Sequence, residues 1–97
     1  MLDIQKSQKA RSDLKGIWAY SFDQWGEDQA DRYYDQLEKA MNQIARTPKV
    51  GKPREAIRPG LRGYHAGRHI IYYTIHTTHI LVLRVRHDRA DPYLYAD

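Results

Sequence analysis

The sequence predicts an α+β fold in one domain spanning residues 1–97: an N-terminal strand, a helical hairpin, then a three-stranded antiparallel sheet ending in a short C-terminal helix or tail. Three observations predict it. Apolar residues recur at helical spacing through the first half, and the period changes to two after residue 60. Of the 97 residues, 41% are hydrophobic, which is enough for one small core.

The N-terminal residues predict a strand followed by a helix. Residues 2–6 alternate apolar and polar side chains, which favours a strand at the edge of the sheet. Ser7 fits the N-cap of a helix, because its hydroxyl can accept an unpaired backbone N–H. Spacings of three and four then place one apolar set on a single helical face: Ala10, Leu14, Ile17, Trp18, Phe22 and Trp25.

A glycine divides the helical region in two. Gly26 interrupts the apolar pattern, and Glu27 and Asp28 follow with the negative charge that suits a helix N-terminus. The pattern resumes with Ala30, Tyr33, Tyr34, Leu37, Ala40, Met41 and Ile44. Two amphipathic helices joined at Gly26 therefore predict an antiparallel hairpin.

Residues 46–60 predict an ordered loop, and the residues after it predict strands. Three prolines and two glycines disfavour regular structure in this basic segment. Strands are expected at 61–66, 69–75 and 80–86, with a turn at 76–79. In the last strand, strict alternation would turn Leu81, Leu83 and Val85 toward the helices, and would leave the opposite face to Ile80, Val82, Arg84 and Arg86.

The charge is uneven along the chain. Residues 1–45 carry six basic and eight acidic side chains, whereas residues 46–97 carry ten basic and four acidic ones, which together give the net +4. A basic half indicates an acidic partner surface, such as nucleic acid or an acidic protein segment, although an ordinary solvated face would have the same composition.

Several classes of function are excluded by what the sequence lacks. There is no cysteine, so disulfides and thiolate chemistry are absent. No apolar run approaches a membrane span and no signal peptide precedes the first strand, so we expect a cytoplasmic protein with no membrane partner. No cofactor motif occurs. His76 and His79 flank a turn without a nearby carboxylate, so no metal site is expected.

The motifs and their order resemble the ParE branch of the RelE/ParE superfamily of bacterial toxins. The matching stretches are 10–14 (ARSDL), 17–18 (IW) with Tyr20, 25–26 (WG), 30–33 (ADRY), 48–53 (PKVGKP), 57–62 (IRPGLR), 67–73 (GRHIIYY) and 83–87 (LRVRH). The resemblance implies the toxin of a type II toxin–antitoxin system, which inhibits DNA gyrase and is neutralised by a ParD-like antitoxin. It implies contact with nucleic acid only indirectly, through gyrase or the antitoxin complex. Ala90 departs from the pattern, where a larger apolar residue is usual.

Two alternatives remain open. RelE-type members cut messenger RNA on the ribosome without a metal, which requires a base, an acid and cations for the developing phosphate charge. Residues of those types are Arg68, Arg84, Arg86, His87, Arg89 and Tyr93, with Tyr95 near them. Each has a structural alternative: Arg68 could pair with Glu55, and Arg84 and Arg86 with Asp88 or Asp91. The second alternative is that the chain is a non-toxic member of the fold.

Partner binding is expected on the basic loop, on the helical hairpin and on the sheet face turned away from the helices. An amphipathic acidic segment of an antitoxin would need apolar contacts and cations there. The candidate residues are Arg58, Arg62, Ile70, Tyr72, Ile80, Val82, Arg84 and Arg86. The gyrase contact is expected to use the loop cations Lys49, Lys52, Arg54, Arg58 and Arg62, together with Arg84 and Arg86 on the sheet face and the C-terminal tail.

Overall fold

The computed structural model describes residues 1–91 of the chain. They form, in chain order, β1 Asp3–Lys6, α1 Gln8–Trp25, α2 Glu27–Arg46, a 3₁₀ turn Pro48–Val50, β2 Lys52–Pro53, β3 Arg62–Ala66, β4 His69–Ile75 and β5 His79–His87. The α+β prediction is confirmed; the C-terminal helix or tail falls largely outside the described residues. No helix in this part of the chain is both long and apolar enough to cross a membrane.

The strands form one sheet in the order β1-β5-β4-β3-β2. The N-terminal strand lies at an edge, as predicted, and runs parallel to β5, because the helical hairpin provides the crossover between them. The predicted strand count was too low. Lys52 pairs with Gly63 and Pro53 with Arg62, which makes β2 a second edge strand inside the predicted loop. Proline is tolerated there because an edge strand can leave one side unpaired.

Both predicted helix boundaries are confirmed. The Ser7 hydroxyl accepts the backbone N–H of Ala10 at 3.0 Å and donates to the carbonyl of Leu83 at 2.8 Å, so it ties the start of α1 to β5. Gly26 separates α1 from α2 with a φ of 90°, a backbone conformation that side chains with a Cβ rarely adopt. The hairpin therefore turns where the glycine permits it.

The core lies between the helical hairpin and one face of the sheet. Helix α2 supplies most of its helical side, since its predicted stripe is buried or half-buried along its whole length. The largest fully buried side chains of the described residues are Tyr73, Leu37, Met41, Ile44, Ile71, Ile80 and Val82. Burying apolar surface at roughly 25 cal/mol per Å² is what stabilises this layer packing.

Helix α1 packs on a narrower stripe than its sequence predicted. The buried positions Ala10, Leu14 and Ser21 follow helical spacing with half-buried Ile17, so a serine takes the last place in the stripe. Trp25 lies only about 40° round the helix from Ser21 once the whole turn is removed, yet it is 63% exposed. Helical spacing shows which residues share a side of the helix, but not how much of that side a neighbour covers.

The faces of β5 differ from those predicted, because the strand contains a bulge. Tyr72 pairs with Arg84 and Tyr73 with Val82, so Leu83 is an extra residue that breaks the alternation. Ile80 and Val82 are consequently on the helix side and are fully buried, and the prediction that they form an exposed docking rim is wrong. The pairing leaves Ile70, Tyr72, Arg84 and Arg86 on the face opposite the helices, here called the open face. Tyr72 is nevertheless buried at 7% exposure, so the prediction that it belongs to an exposed docking rim is also wrong.

A buried tyrosine anchors the segment that follows α2. The Tyr73 hydroxyl accepts the backbone N–H of Gly51 at 2.9 Å and donates to the carbonyl of Pro48 at 2.6 Å. A Cβ at position 51 would lie 2.6 Å from that hydroxyl oxygen, so only glycine fits. Arg62 donates to the Gly51 carbonyl at 2.7 Å from the other side. The first part of the predicted loop is therefore fixed to the core.

Candidate functional site

The two arginines of β5 share one carboxylate. Arg84 donates from Nε to Oδ2 of Asp13 at 2.9 Å and from Nη2 to Oδ1 at 3.0 Å, and Nη1 of Arg86 lies 3.6 Å from Oδ1. Asp13 also accepts the backbone N–H of Val85 at 3.0 Å. This contact exists because β1 covers β5 only up to Val82, and α1 then brings a carboxylate to the uncovered strand edge. The single carboxylate thus offsets one of the two positive charges, chiefly that of Arg84, and leaves this pair of arginines with a net positive charge.

The rest of the open face combines an aromatic side chain with another arginine. Tyr72 is 7% exposed, and its burial raises the pKa of its hydroxyl while the nearby Arg54 acts in the opposite direction. Arg54 lies across Gly63: a Cβ built there would be 3.3 Å from Arg54 Nε and 3.1 Å from Cγ2 of Ile70. Glycine at position 63 therefore lets the guanidinium lie close to the sheet.

A cleft of about 1040 Å³ opens between α1, the start of α2 and the ends of β3–β5. One wall is apolar and carries the exposed aromatic side chains Tyr20 and Trp25, which are 61% and 63% exposed. The other wall carries Arg68, Arg86 and two histidines. The cleft thus places apolar and cationic groups opposite each other. The principal lining residues are Ile17, Tyr20, Trp25, Arg68, His69 and His87.

A hydrogen-bonded tyrosine–histidine pair forms the floor of the cleft. The Tyr33 hydroxyl accepts the backbone N–H of Arg68 at 3.0 Å and forms a hydrogen bond with Nδ1 of His69 at 2.5 Å. Neutral His69 with its proton on Nε2 lets the hydroxyl donate to Nδ1 while it accepts from Arg68. Burial lowers the pKa of His69, and the neighbouring His87 lowers it further. Burial also raises the pKa of Tyr33, so both partners stay neutral near pH 7.

The end of β5 carries a second polar group beside this pair. The rings of His69 and His87 meet edge to face with centroids 5.5 Å apart. Asp88 lies 3.3 Å from Nδ1 of His87 and accepts from Nε2 of His65 at 3.1 Å. The backbone N–H of Arg89 donates to His87 Nδ1 at 3.1 Å. These contacts fix the orientation of the imidazole that faces the cleft.

The lowered pKa of His69 predicts an acid-sensitive fold. Below pH 6.5, the ordinary pKa of histidine, the imidazole of residue 69 binds a proton in the unfolded chain but still excludes it in the folded chain. The free energy of unfolding therefore falls as the pH drops, until the pH passes the lower pKa of His69 in the folded chain. We expect His69→Asn to flatten this dependence, measured as free energy of unfolding in urea between about pH 7.5 and pH 5. The control His76→Asn removes an exposed histidine and should leave the slope unchanged. Equal slopes for wild type and His69→Asn would contradict the prediction.

The candidates for RNA cleavage are only partly brought together. Arg68, Arg86 and His87 line the cleft, whereas Arg84 is bound to Asp13. Glu55 accepts the N–H of Gly60 at 2.8 Å, and within residues 1–91 no ion pair joins it to Arg68, so the alternative pairing of these two residues is wrong. Tyr93 and Tyr95 lie outside the described residues.

Several site residues were not predicted as such: Asp13, Tyr33 and His69, and the exposed aromatic pair Tyr20 and Trp25. Tyr33 was assigned to the apolar stripe, and its hydroxyl could have indicated a polar partner. Asp13 beside Leu14 carried no distinguishing signal. Among the remaining candidates, Arg58 is exposed and Arg62 is half-buried against the Gly51 carbonyl.

The histidines at the β4–β5 turn are placed as ordinary turn residues. His76 and His79 stack with ring centroids 4.7 Å apart, and Nε2 of His76 lies 2.8 Å from the hydroxyl of Thr74. Within residues 1–91, no group of three or more histidine, aspartate or glutamate side chains is arranged to hold a metal ion.

Comparison with known proteins gives consistent sequence and structural relatives. The family model for the ParE toxin of the type II toxin–antitoxin system parDE matches residues 4–92. Toxin ParE1 of Mycobacterium tuberculosis is 37% identical over 86 residues, which cover 88% of both chains. Toxin ParE1 of Caulobacter vibrioides is 36% identical over 87 residues, covering 90% of both.

Solved structures share the fold. A chain of the chromosomal ParDE toxin–antitoxin system from P. aeruginosa superposes with a TM-score of 0.77 at 18% identity, covering 90% of this chain and 96% of that one. A chain of the RelBE2 toxin–antitoxin complex from Mycobacterium tuberculosis superposes with a TM-score of 0.65 at 26% identity, covering 89% and 96%.

Proposed function

The chain belongs to the ParE toxin family of type II toxin–antitoxin systems, as its motifs implied, and we propose that it inhibits DNA gyrase and is neutralised by a ParD-like antitoxin. In this proposal residues 1–97 function as a single ParE-like domain. It acts in the bacterial cytoplasm, where gyrase is found. The observation that carries the choice of target is the engagement of Arg84 and Arg86 by Asp13. This engagement favours a protein that acts by binding gyrase over one that cleaves RNA.

The reason is electrostatic. Metal-independent RNA cleavage needs cations aimed at the phosphate as its charge develops. A bidentate carboxylate takes up the hydrogen-bonding directions of Arg84 and offsets its charge, so this side chain is poorly suited to that task. The cleft retains Arg68, His69 and His87, and these residues favour RelE-type cleavage as the second candidate function.

The cleft fits the chemistry of an antitoxin segment. Exposed Tyr20 and Trp25 offer a large apolar contact, and Arg68 and Arg86 lie across from them. An acidic amphipathic helix would bury its apolar side chains on the first wall and place carboxylates on the second. P. aeruginosa ParDE and RelBE2 of M. tuberculosis, whose toxin folds this chain shares, are both toxin–antitoxin systems, which supports a partner of this kind.

Two assays run in parallel test the target. Purified protein is added to gyrase with plasmid DNA, and separately to ribosomes translating a messenger RNA. We expect supercoiling to be blocked or DNA breaks to be trapped, with intact RNA, and we expect added ParD-like antitoxin to reverse the effect.

The double variant Arg68→Gln/His87→Gln is the matched control, since it removes the cleft groups that could serve cleavage. It should still inhibit gyrase. If the protein cut messenger RNA and left gyrase unaffected, and if the double variant lost this cleavage, the protein would be a nuclease instead. Inactivity in both assays would indicate a non-toxic member of the fold.

A further inference from the structure

We propose that the segment around β2 binds the phosphate backbone of duplex DNA, so that this protein contacts DNA directly and not only through its protein partners. The binding groups are Lys49, Lys52, Arg54, Arg58 and Arg62, called here the basic segment. This interaction goes beyond gyrase inhibition, because it is a property of the isolated protein.

The charge of the basic segment is not offset by neighbouring acids. Within residues 1–91, none of its five cations forms an ion pair with a carboxylate, in contrast to Arg84 with Asp13. Glu55, the one acid between positions 49 and 62, accepts the backbone N–H of Gly60. Arg62 donates to the carbonyls of Lys49 and Gly51, which orient it without neutralising it. Five cations and one acid leave a net +4 in fourteen residues.

Arg54 is held in place before any ligand arrives. Its side chain packs beside Tyr72 in the space that Gly63 leaves, and its Nε is buried without a hydrogen-bond partner in the described chain. A buried donor with no acceptor is unfavourable, so a small shift that brings it to a phosphate oxygen is favourable. Because the side chain is already packed, little rotamer entropy remains to be lost on binding.

The backbone that carries these cations is also ordered. The N–H of Arg54 donates to the carbonyl of Leu61 at 2.8 Å, and the N–H of Leu61 donates to the carbonyl of Arg58 at 3.1 Å. Leu61 is 5% exposed and anchors the end of the segment in the protein. The Tyr73 hydroxyl anchors its beginning. The cations are therefore presented at set positions, as contacts that track a regular phosphate backbone require.

The composition of the segment favours DNA over an acidic protein segment. Val50 is its one exposed large hydrophobic residue among those described, at 37%, so an amphipathic peptide would find little apolar contact there. Pro53 removes a backbone donor from the β2 edge, which disfavours an added peptide strand. Phosphate contacts need only charge and N–H donors, and the segment supplies both.

Fluorescence anisotropy with a labelled duplex of roughly 20 base pairs tests the proposal, with salt varied between about 50 and 200 mM. Five phosphate contacts predict that the logarithm of the association constant falls linearly with the logarithm of the salt concentration, at a slope of about −4 to −5. In the variant Lys52→Gln/Arg54→Gln/Arg58→Gln, the slope should become shallower by about 3, and binding near 100 mM salt should weaken by roughly 100-fold. Circular dichroism and thermal melting check that the variant is folded.

The matched control Lys15→Gln/Arg32→Gln/Lys39→Gln removes the same charge from exposed positions on the helices. It should change the slope little. An equal loss in the control, tighter binding of poly-glutamate than of DNA, or no binding at the lowest salt would each overturn the proposal. Gyrase inhibition is scored separately: inhibition without DNA binding overturns only this inference, and DNA binding without inhibition overturns only the proposed function.

Discussion

Asp13→Ala is expected to lower the free energy of unfolding by about 3–5 kcal/mol, as removing one partner of a buried ion pair does. The side chains of Asp13 and Arg84 are 10% and 16% exposed. Without the carboxylate, Arg84 loses both hydrogen bonds to it, Arg86 loses its nearby anion, and the N–H of Val85 loses its acceptor. A loss of this size is a large part of the stability of a domain with so small a core.

Urea unfolding of wild type and two further variants measures the effect. Asp13→Asn keeps an oxygen for the Val85 N–H but loses the charge, so its loss should be smaller than that of Asp13→Ala. The control Asp23→Ala removes an exposed carboxylate from the same helix and should stay within about 0.5 kcal/mol of wild type. If Asp13→Ala behaved like Asp23→Ala, the carboxylate would not be holding the strand edge.

Elements governed by local chemistry could be predicted from the sequence. Ser7 and Gly26 mark the ends of α1 because capping and a positive φ are properties of single residues. The faces of β5 could not be predicted, because the bulge at Leu83 depends on how β4 pairs with it. One extra residue reverses the alternation, and Ile80 and Val82 move from the expected docking surface into the core.

The candidate site was less predictable than the fold. The sequence identified the right kinds of residue, such as Arg84 and His87, but their roles depend on partners far along the chain. Asp13 is separated from Arg84 by 71 positions, and Tyr33 from His69 by 36. Only the packing of the helical hairpin on the sheet brings these groups together. Without that packing, an arginine that is bound within the chain cannot be told from one that is available to a partner.

Tyr20→Ala/Trp25→Ala is expected to weaken binding of a ParD-like antitoxin by several hundred-fold while leaving the toxin folded. Buried aromatic anchors typically contribute 2 kcal/mol or more each, and about 1.4 kcal/mol corresponds to a factor of ten. Trp25→Ala alone should therefore cost at least about 30-fold. Because both side chains are more than half exposed in the free toxin, their removal leaves no cavity in the core.

Isothermal titration calorimetry of the antitoxin against each variant measures this loss, and thermal melting of the free toxins checks the fold. Phe22→Ala is the matched control: Phe22 is 44% exposed on the same helix and stacks on Trp18, outside the cleft lining. It should bind the antitoxin like wild type, although it removes a similar aromatic surface. If Phe22→Ala weakened binding as much as Trp25→Ala, the antitoxin would lie along the outer side of α1 and not in the cleft. Unchanged binding in all variants would place it elsewhere, and the apolar wall of the cleft would then have no part in neutralisation.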